Sequence, residues 1–332
     1  MPNSSMLRRA LGAAVALTLA LSAHAGPYSA LYAFGDSLSD RGNIQALTGG
    51  IEPPLPYYQG QFSNGDVWLT TLAGNLGMAA PTASRTGGTD YAYGGAQSGT
   101  TVFNAANLTD VVGASGQLAQ FAAAHPSADP GALYVVWIGG NDLLGIPSSA
   151  TALQVQTLAV QTIGNIDTTI GTLAGLGAKN FLVLTLPDIG KTPGVMAGGP
   201  VAAATASSVA ASFNDLLLGG NASVGIPSLS ALAGGLGVTL TVFDVYAYTD
   251  SVIANPAAHG LTNVTDACFD GATVCANPSQ YLYWDSVHPT AVSHVALGDA
   301  ATAAITAVPE PAQWASLVAG LGLLVLVRRR QR

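Results

Sequence analysis

Two hydrophobic patterns alternate along the chain. Short, largely apolar runs recur at Ala30–Phe34, Asp90–Tyr93, Ala132–Ile138, Phe181–Leu186 and Val238–Val245. A strand covered on both faces has this character, so five mostly parallel strands are predicted there. Between them lie longer Ala/Leu/Gln-rich stretches, predicted as helices over Gln117–Ala124, Ala152–Leu176, Val201–Leu218 and Thr290–Ile305. Strand alternating with helix predicts an α/β fold, a parallel sheet covered by helices. Ile51–Asn64, rich in Pro, Tyr and Gly, follows neither period and reads as a surface excursion. No internal repeat and no interdomain linker breaks the alternation.

The two ends carry a different pattern. Arg8-Arg9, the apolar run Ala10–Leu21 and Ala23-His24-Ala25 read as a signal peptide over residues 1–25, with the mature chain starting at Gly26. At the other end come Val308-Pro309-Glu310-Pro311, an apolar run from Trp314 to Val327, and Arg328-Arg329-Arg330. This tail, residues 308–332, resembles the PEP-CTERM sorting signal of Gram-negative bacteria. The resemblance implies an exosortase-type processing enzyme as a partner and transient membrane contact. The plainer alternative is a C-terminal anchor with its arginines held cytoplasmic, for which the run is short. Either reading places the body, residues 26–307, outside the cytoplasm: periplasmic, on the cell surface or extracellular.

Setting the ends aside changes the charge. The formal net charge is -8, but six of the ten basic residues sit at the termini. The body keeps Arg41, Arg85, Lys179 and Lys191 against seventeen acids, a net charge near -13. Such a surface repels phosphate backbones, which argues against nucleic-acid binding. The two cysteines, Cys268 and Cys275, read as a disulfide in an exported chain, and without companion histidines they make a poor metal site.

Candidate chemistry gathers where predicted strands end. The first strand runs into Gly35-Asp36-Ser37-Leu38-Ser39-Asp40, placing a serine at the carboxyl edge of the sheet, where α/β proteins hold their sites. A helix starting at this serine would put its dipole behind the Ser37 amide; the simpler alternative is a helix cap. Asp285-Ser286-Val287-His288 sets a carboxylate three residues before an imidazole, close enough to fix its tautomer and free the far nitrogen for a serine proton. Of the other histidines, His24 leaves with the signal. His125 and His259 have no acid close by in sequence, and His294 would face another side of its helix. Gly139-Gly140-Asn141-Asp142 is a glycine turn offering a side-chain amide, or an ordinary helix cap. Tyr93-Gly94-Gly95-Ala96 is a strand end whose glycine amide is a further donor.

Together, in order and approximate spacing, these four blocks resemble the GDSL family of the SGNH-hydrolase superfamily from Tyr28 to about Thr306. The resemblance implies a flavodoxin-like three-layer α/β/α sandwich around a mostly parallel five-stranded sheet. It implies Ser37 as nucleophile, His288 as general base and then acid, and Asp285 as the orienting carboxylate. The oxyanion donors would be the Ser37 amide, the Gly95 amide and the Asn141 side chain, with Gly94 competing for the second place. Neither a cofactor nor a metal is called for. No Gly-x-Ser-x-Gly elbow is present, against an α/β-hydrolase fold.

The implied activity is that of an exported serine esterase or lipase acting on lipid or short-chain acyl esters. Rival readings are deacetylation of an exported polysaccharide, acyl transfer on the same triad, and a non-catalytic surface protein. Ile51–Asn64 and Asn104–Gly116 are expected to wall the pocket, with Tyr57, Tyr58, Phe62 and Trp68 as an apolar lining or as core.

Overall fold

The computed structural model describes residues 27–104 and 109–307. The signal peptide and mature start at Gly26, and the sorting tail at 308–332, lie outside the described residues. Strand β1 (Leu31–Gly35) leads through α1 (Asn43–Leu47) and α2 (Leu69–Asn75) to a hairpin of β2 (Thr101–Asn104) and β3 (Thr109–Val112). Then follow α3 (Ala114–Ala124), β4 (Leu133–Trp137), α4 (Gly140–Leu144), α5 (Ala152–Leu176), β5 (Asn180–Leu184) and α6 (Pro193–Met196). The chain continues through α7 (Pro200–Gly219), α8 (Leu229–Leu236), β6 (Thr239–Phe243) and α9 (Val245–Ala254). The last elements are the paired β7 (Asn263–Ala267) and β8 (Tyr281–Tyr283), and α10 (Ala291–Thr306).

Four predicted strands form one parallel sheet in the order β1-β4-β5-β6. The fifth, Asp90–Tyr93, runs along the free edge of β1 without becoming a regular strand. Ala33 donates its amide to Thr89 O (3.1 Å), and the Tyr91 and Tyr93 amides donate to Ala33 O (2.8 Å) and Gly35 O (3.2 Å). Irregularity there has a local cause: the Asp90 carboxylate accepts the Ala92 amide (3.0 Å) two residues on and the Arg41 amide (2.7 Å). Counted with this edge, the strands run 2-1-3-4-5 in chain order, the flavodoxin-like doubly wound arrangement.

Alternate residues of each strand feed two separate cores, as the two-residue period of a strand requires. Phe34, Tyr134, Val136, Phe181 and Val183 pack under α3, α5, α7 and α8. Leu31, Ala33, Leu133, Val135, Trp137, Leu182 and Leu184 pack against α2 and α10. The result is the three-layer α/β/α sandwich. Helix α5 matches its predicted span, and its ends show why. Thr151 accepts the Gln154 amide in a reciprocal capping box, and Gly177 closes the helix at φ 118°. Helix α7 is long and apolar enough to cross a membrane by composition, with mean hydropathy 1.3. In the fold it packs on the sheet through Ala210, Phe213 and Leu217, and its Asn214 side chain is spent on a strand end.

Candidate active site

Ser37 lies two residues past β1, in a turn closed by the Ser39 and Asp40 amides on Asp36 O (both 3.0 Å). The expected helix does not begin there. Asp40 delays it: its carboxylate accepts the amides of Gly42 (2.8 Å), Asn43 (2.6 Å) and Ile44 (3.1 Å), opening α1 only at Asn43. Without a helix at its back, the Ser37 amide is presented by a tight turn and not by a dipole. Beneath, a buried amide side chain holds the strand end. Gln117 accepts the Gly35 amide at Oε1 (2.9 Å) and donates Nε2 to Gly35 O (2.7 Å). Asn214 does the same for Leu186 beyond β5, accepting its amide (2.9 Å) and donating to its carbonyl (2.8 Å). Asn43 donates to Asp90 O (2.8 Å) and Ala92 O (2.9 Å). Three primary amides thus pin three strand ends at the edge bearing the site.

The three residues far apart in sequence meet there. Ser37, 8% exposed, places Oγ 2.7 Å from His288 Nε2, and His288 Nδ1 lies 2.7 Å from Asp285 Oδ2. A carboxylate only accepts, so Nδ1 carries the proton and Nε2 turns its lone pair to the serine. Asp285 Oδ1 accepts the Val287 and His288 amides (2.8 Å each), and Oδ2 also accepts the Tyr57 hydroxyl (2.6 Å). Burial alone would raise the Asp285 pKa. The His288 charge and these hydrogen bonds outweigh it and hold it at about 2, so the carboxylate stays ionised.

The predicted donors border the same cavity. Ser37, Gly94, Gly95 and Asn141 all line a space of about 310 Å³ that opens beside the serine. The Gly94/Gly95 ambiguity has a structural answer: the Gly94 amide is taken, donating to Asp40 Oδ2 (2.8 Å). Among the described residues nothing accepts the Gly95 amide, and Gly95 adopts φ 78°, a conformation suited to glycine. Asn141 sits in the first turn of α4, behind Gly139 at φ 117°, and spends one Nδ2 hydrogen on Ala96 O (2.9 Å). The buried Asp142 beside it accepts the Ser98 amide (2.9 Å) and hydroxyl (2.7 Å), tying the two donor loops together.

Of the four aromatic residues expected as lining, only Phe62 borders the cavity, tilted against the His288 ring at 5.3 Å. Trp68 is core, Tyr58 is partly exposed, and Tyr57 holds Asp285. Segment 51–64 does flank the site, through Glu52 and Phe62, but no described residue of 104–116 lines it. Tyr57, Gln117, Asp40 and Asp36 escaped sequence reading. Each is a lone polar residue in an ordinary context, and only Asp36 and Asp40 adjoin a motif. Burial pushes the Asp36 carboxyl up to about 7 and Asp40 to about 6, despite amide donors to both. His294 is fully buried, accepts the Trp68 amide at Nδ1 (3.4 Å) and is driven down to about 3 by burial. It stays neutral and is a core residue.

The disulfide Cys268–Cys275 is formed, and it buttresses this site. The small loop it closes carries Phe269, stacked on Trp284 (5.6 Å) and edge-on to Tyr57 (5.9 Å), directly before Asp285.

Comparison with known proteins agrees with this geometry. Phosphatidylcholine-sterol acyltransferase of Aeromonas hydrophila is 28% identical over 335 residues, covering 86% of this chain and 93% of that protein. Esterase EstA of Pseudomonas aeruginosa is 29% identical over 345 residues, with 89% of this chain matched to 50% of the esterase. The solved carbohydrate acetylesterase Est24 of Sinorhizobium meliloti aligns at TM-score 0.43 and 15% identity over 84% of this chain and 99% of its own, too loose to bear on chemistry here. Residues 31–301 match the GDSL-like Lipase/Acylhydrolase family model. With that span running from the first residue of β1 into α10 and taking in Ser37, Asn141, Asp285 and His288, the chain belongs to the GDSL-like lipase/acylhydrolase family.

Proposed function

We propose that this carboxylic ester hydrolase works through an acyl-enzyme on Ser37. The observation that carries the reading is the unbroken relay Ser37–His288–Asp285, with both hydrogen bonds at 2.7 Å, at the mouth of a cavity. Ser37 Oγ adds to the ester carbonyl carbon as its proton passes to His288 Nε2. The carbonyl electron pair becomes an oxyanion, received by the Ser37 and Gly95 amides and the remaining Asn141 hydrogen. When the C–O bond breaks, His288 returns the proton to the leaving alcohol. Water then repeats the sequence on the acyl-serine and releases the acid. Asp285 stays ionised throughout and steadies the imidazolium.

The catalytic unit on this reading is residues 26–307, exported under the 1–25 signal and handed to a sorting enzyme by the 308–332 tail. The disulfide supports an oxidising compartment. Acyl transfer to an alcohol is the second reading, favoured by the match along 93% of a named acyltransferase. The deciding experiment is turnover of p-nitrophenyl butyrate by wild type and Ser37→Ala. Loss of about 10⁴–10⁶-fold with an unchanged circular-dichroism spectrum is expected. Equal rates would sink the proposal, and an ester product with added alcohol would favour transfer.

A further inference from the structure

The cavity extends well beyond the space a reacting ester group needs. From Ser37 it follows the carboxyl edge of the sheet past Trp137 at the end of β4, Leu186 after β5 and Val245 before α9. It ends between Tyr248 and Thr249 of α9 on one side and Leu282 and Leu297 on the other. A second space of about 30 Å³ shares Tyr248, Thr249, Leu282 and Ser293 with it, so the line continues towards Val252 and Leu261.

The chemistry of this arm is one-sided. The acidic or basic groups of the lining are Asp36, Glu52 and His288, all from the nucleophile turn, its flanking segment and the triad. The strand ends of β4, β5 and β6, and helices α9 and α10, contribute none. Trp137, Leu186, Val245, Leu282 and Leu297 are each buried in the fold, so the arm is a built channel. One of its few hydroxyls, Ser293 Oγ, is already paired with Thr290 Oγ1 (3.0 Å). A sugar there would leave most of its hydroxyls without partners, whereas a hydrocarbon chain would lose nothing.

We infer that this arm is a subsite for a long apolar chain of the ester, so that the preferred substrates are lipid-like and not acetylated sugars. This rests on the Ser37 reading above. A methylene needs about the space of a water, ~30 Å³, so the 310 Å³ available suits a chain of about eight to twelve carbons. Each methylene that becomes buried there raises kcat/KM by up to about fourfold. The chain belongs to the acyl group or to the alcohol, and the two are separated by experiment.

The test is kcat/KM of the full-length protein on p-nitrophenyl esters from acetate to palmitate, beside a set of acetates of alcohols from ethanol to dodecanol followed by acid release. A rise of about 100-fold or more between two carbons and the eight-to-twelve range in the first set assigns the arm to the acyl chain, and in the second to the alcohol. Thr249→Trp, at the half-exposed far end, should cut the decanoyl-to-acetyl ratio of kcat/KM at least tenfold in the responding set. Ser37-dependent turnover that is flat or falling with length in both sets overturns the subsite and leaves the triad standing. Absence of Ser37-dependent turnover on every ester overturns both.

Discussion

The two halves of the active site are held by different means. The nucleophile half, Ser37 with Gly95 and Asn141, hangs on strand ends and is fixed through the main chain. Gln117 grips both polar atoms of Gly35, Asp40 grips the Gly94 amide, and Asp142 grips Ser98. The base half, Asp285 to His288, lies in irregular chain between β8 and α10 and is fixed through side chains. Tyr57 donates to Asp285, Phe62 leans on His288, and Ser63 Oγ donates to Pro289 O (2.8 Å). Oxyanion binding needs backbone donors that do not move, which a sheet edge with clamped peptides supplies. Proton transfer needs one imidazole set at the correct angle, which a well-coordinated carboxylate and ring contacts are enough to supply.

This contrast can be broken from either side. The largest effect should come from Gln117→Ala. It leaves the Gly35 amide unpaired in the core and opens a cavity, at a cost of about 3 kcal/mol. Thermal unfolding should fall by several degrees, with a matching loss of kcat and little change in KM. A variant as stable as wild type would show that the main-chain clamp is dispensable.

A smaller effect, confined to the base half, is expected of Tyr57→Phe. Asp285 keeps His288 and two amides but loses one donor, so kcat should drop about tenfold, with a stability loss of about 1–2 kcal/mol. The pH dependence gives the sharper readout. The folded pKa of Asp285, near 2, lies below its unfolded value of about 3.9, so its stabilisation is present above that value and is lost as pH falls through the folded one. Removing the Tyr57 hydroxyl raises the folded pKa, so acid unfolding should begin at higher pH. An acid transition identical to wild type in a pH series from 2 to 5 would count against the contact.

The smallest effect is predicted for Asp36→Asn, under the nucleophile turn. Asp36 accepts the Leu38 amide (3.0 Å), a role asparagine can fill. Its folded pKa, about 7, lies above the unfolded value, so the native state holds an extra proton between about 4 and 7. Stability from this group therefore falls as pH rises across that window. Asp36→Asn should flatten the slope, with melting temperature at pH 8 improving relative to pH 5. An unchanged slope would mean that Asp36 is ionised throughout.

Much of this molecule is written in local pattern. Five sheet segments, the long helices and the four chemical blocks follow from periodicity and from residues close in sequence. Asp285 and His288 are three apart, and Ser37 and Asn141 each sit just past a strand, so a short run of chain places each one. The disulfide pair is likewise close in sequence. Tertiary structure alone decided what depends on long closures. Tyr57 reaches Asp285 across 228 residues, Gln117 reaches Gly35 across 82, and Gly94 rather than Gly95 meets Asp40 across 54. The extent of the apolar arm also belongs here, since its walls come from three strand ends and two helices. Periodicity tells whether a residue faces in or out, because that depends on its immediate neighbours. It does not tell which buried donor meets which acceptor, because that depends on how the layers dock.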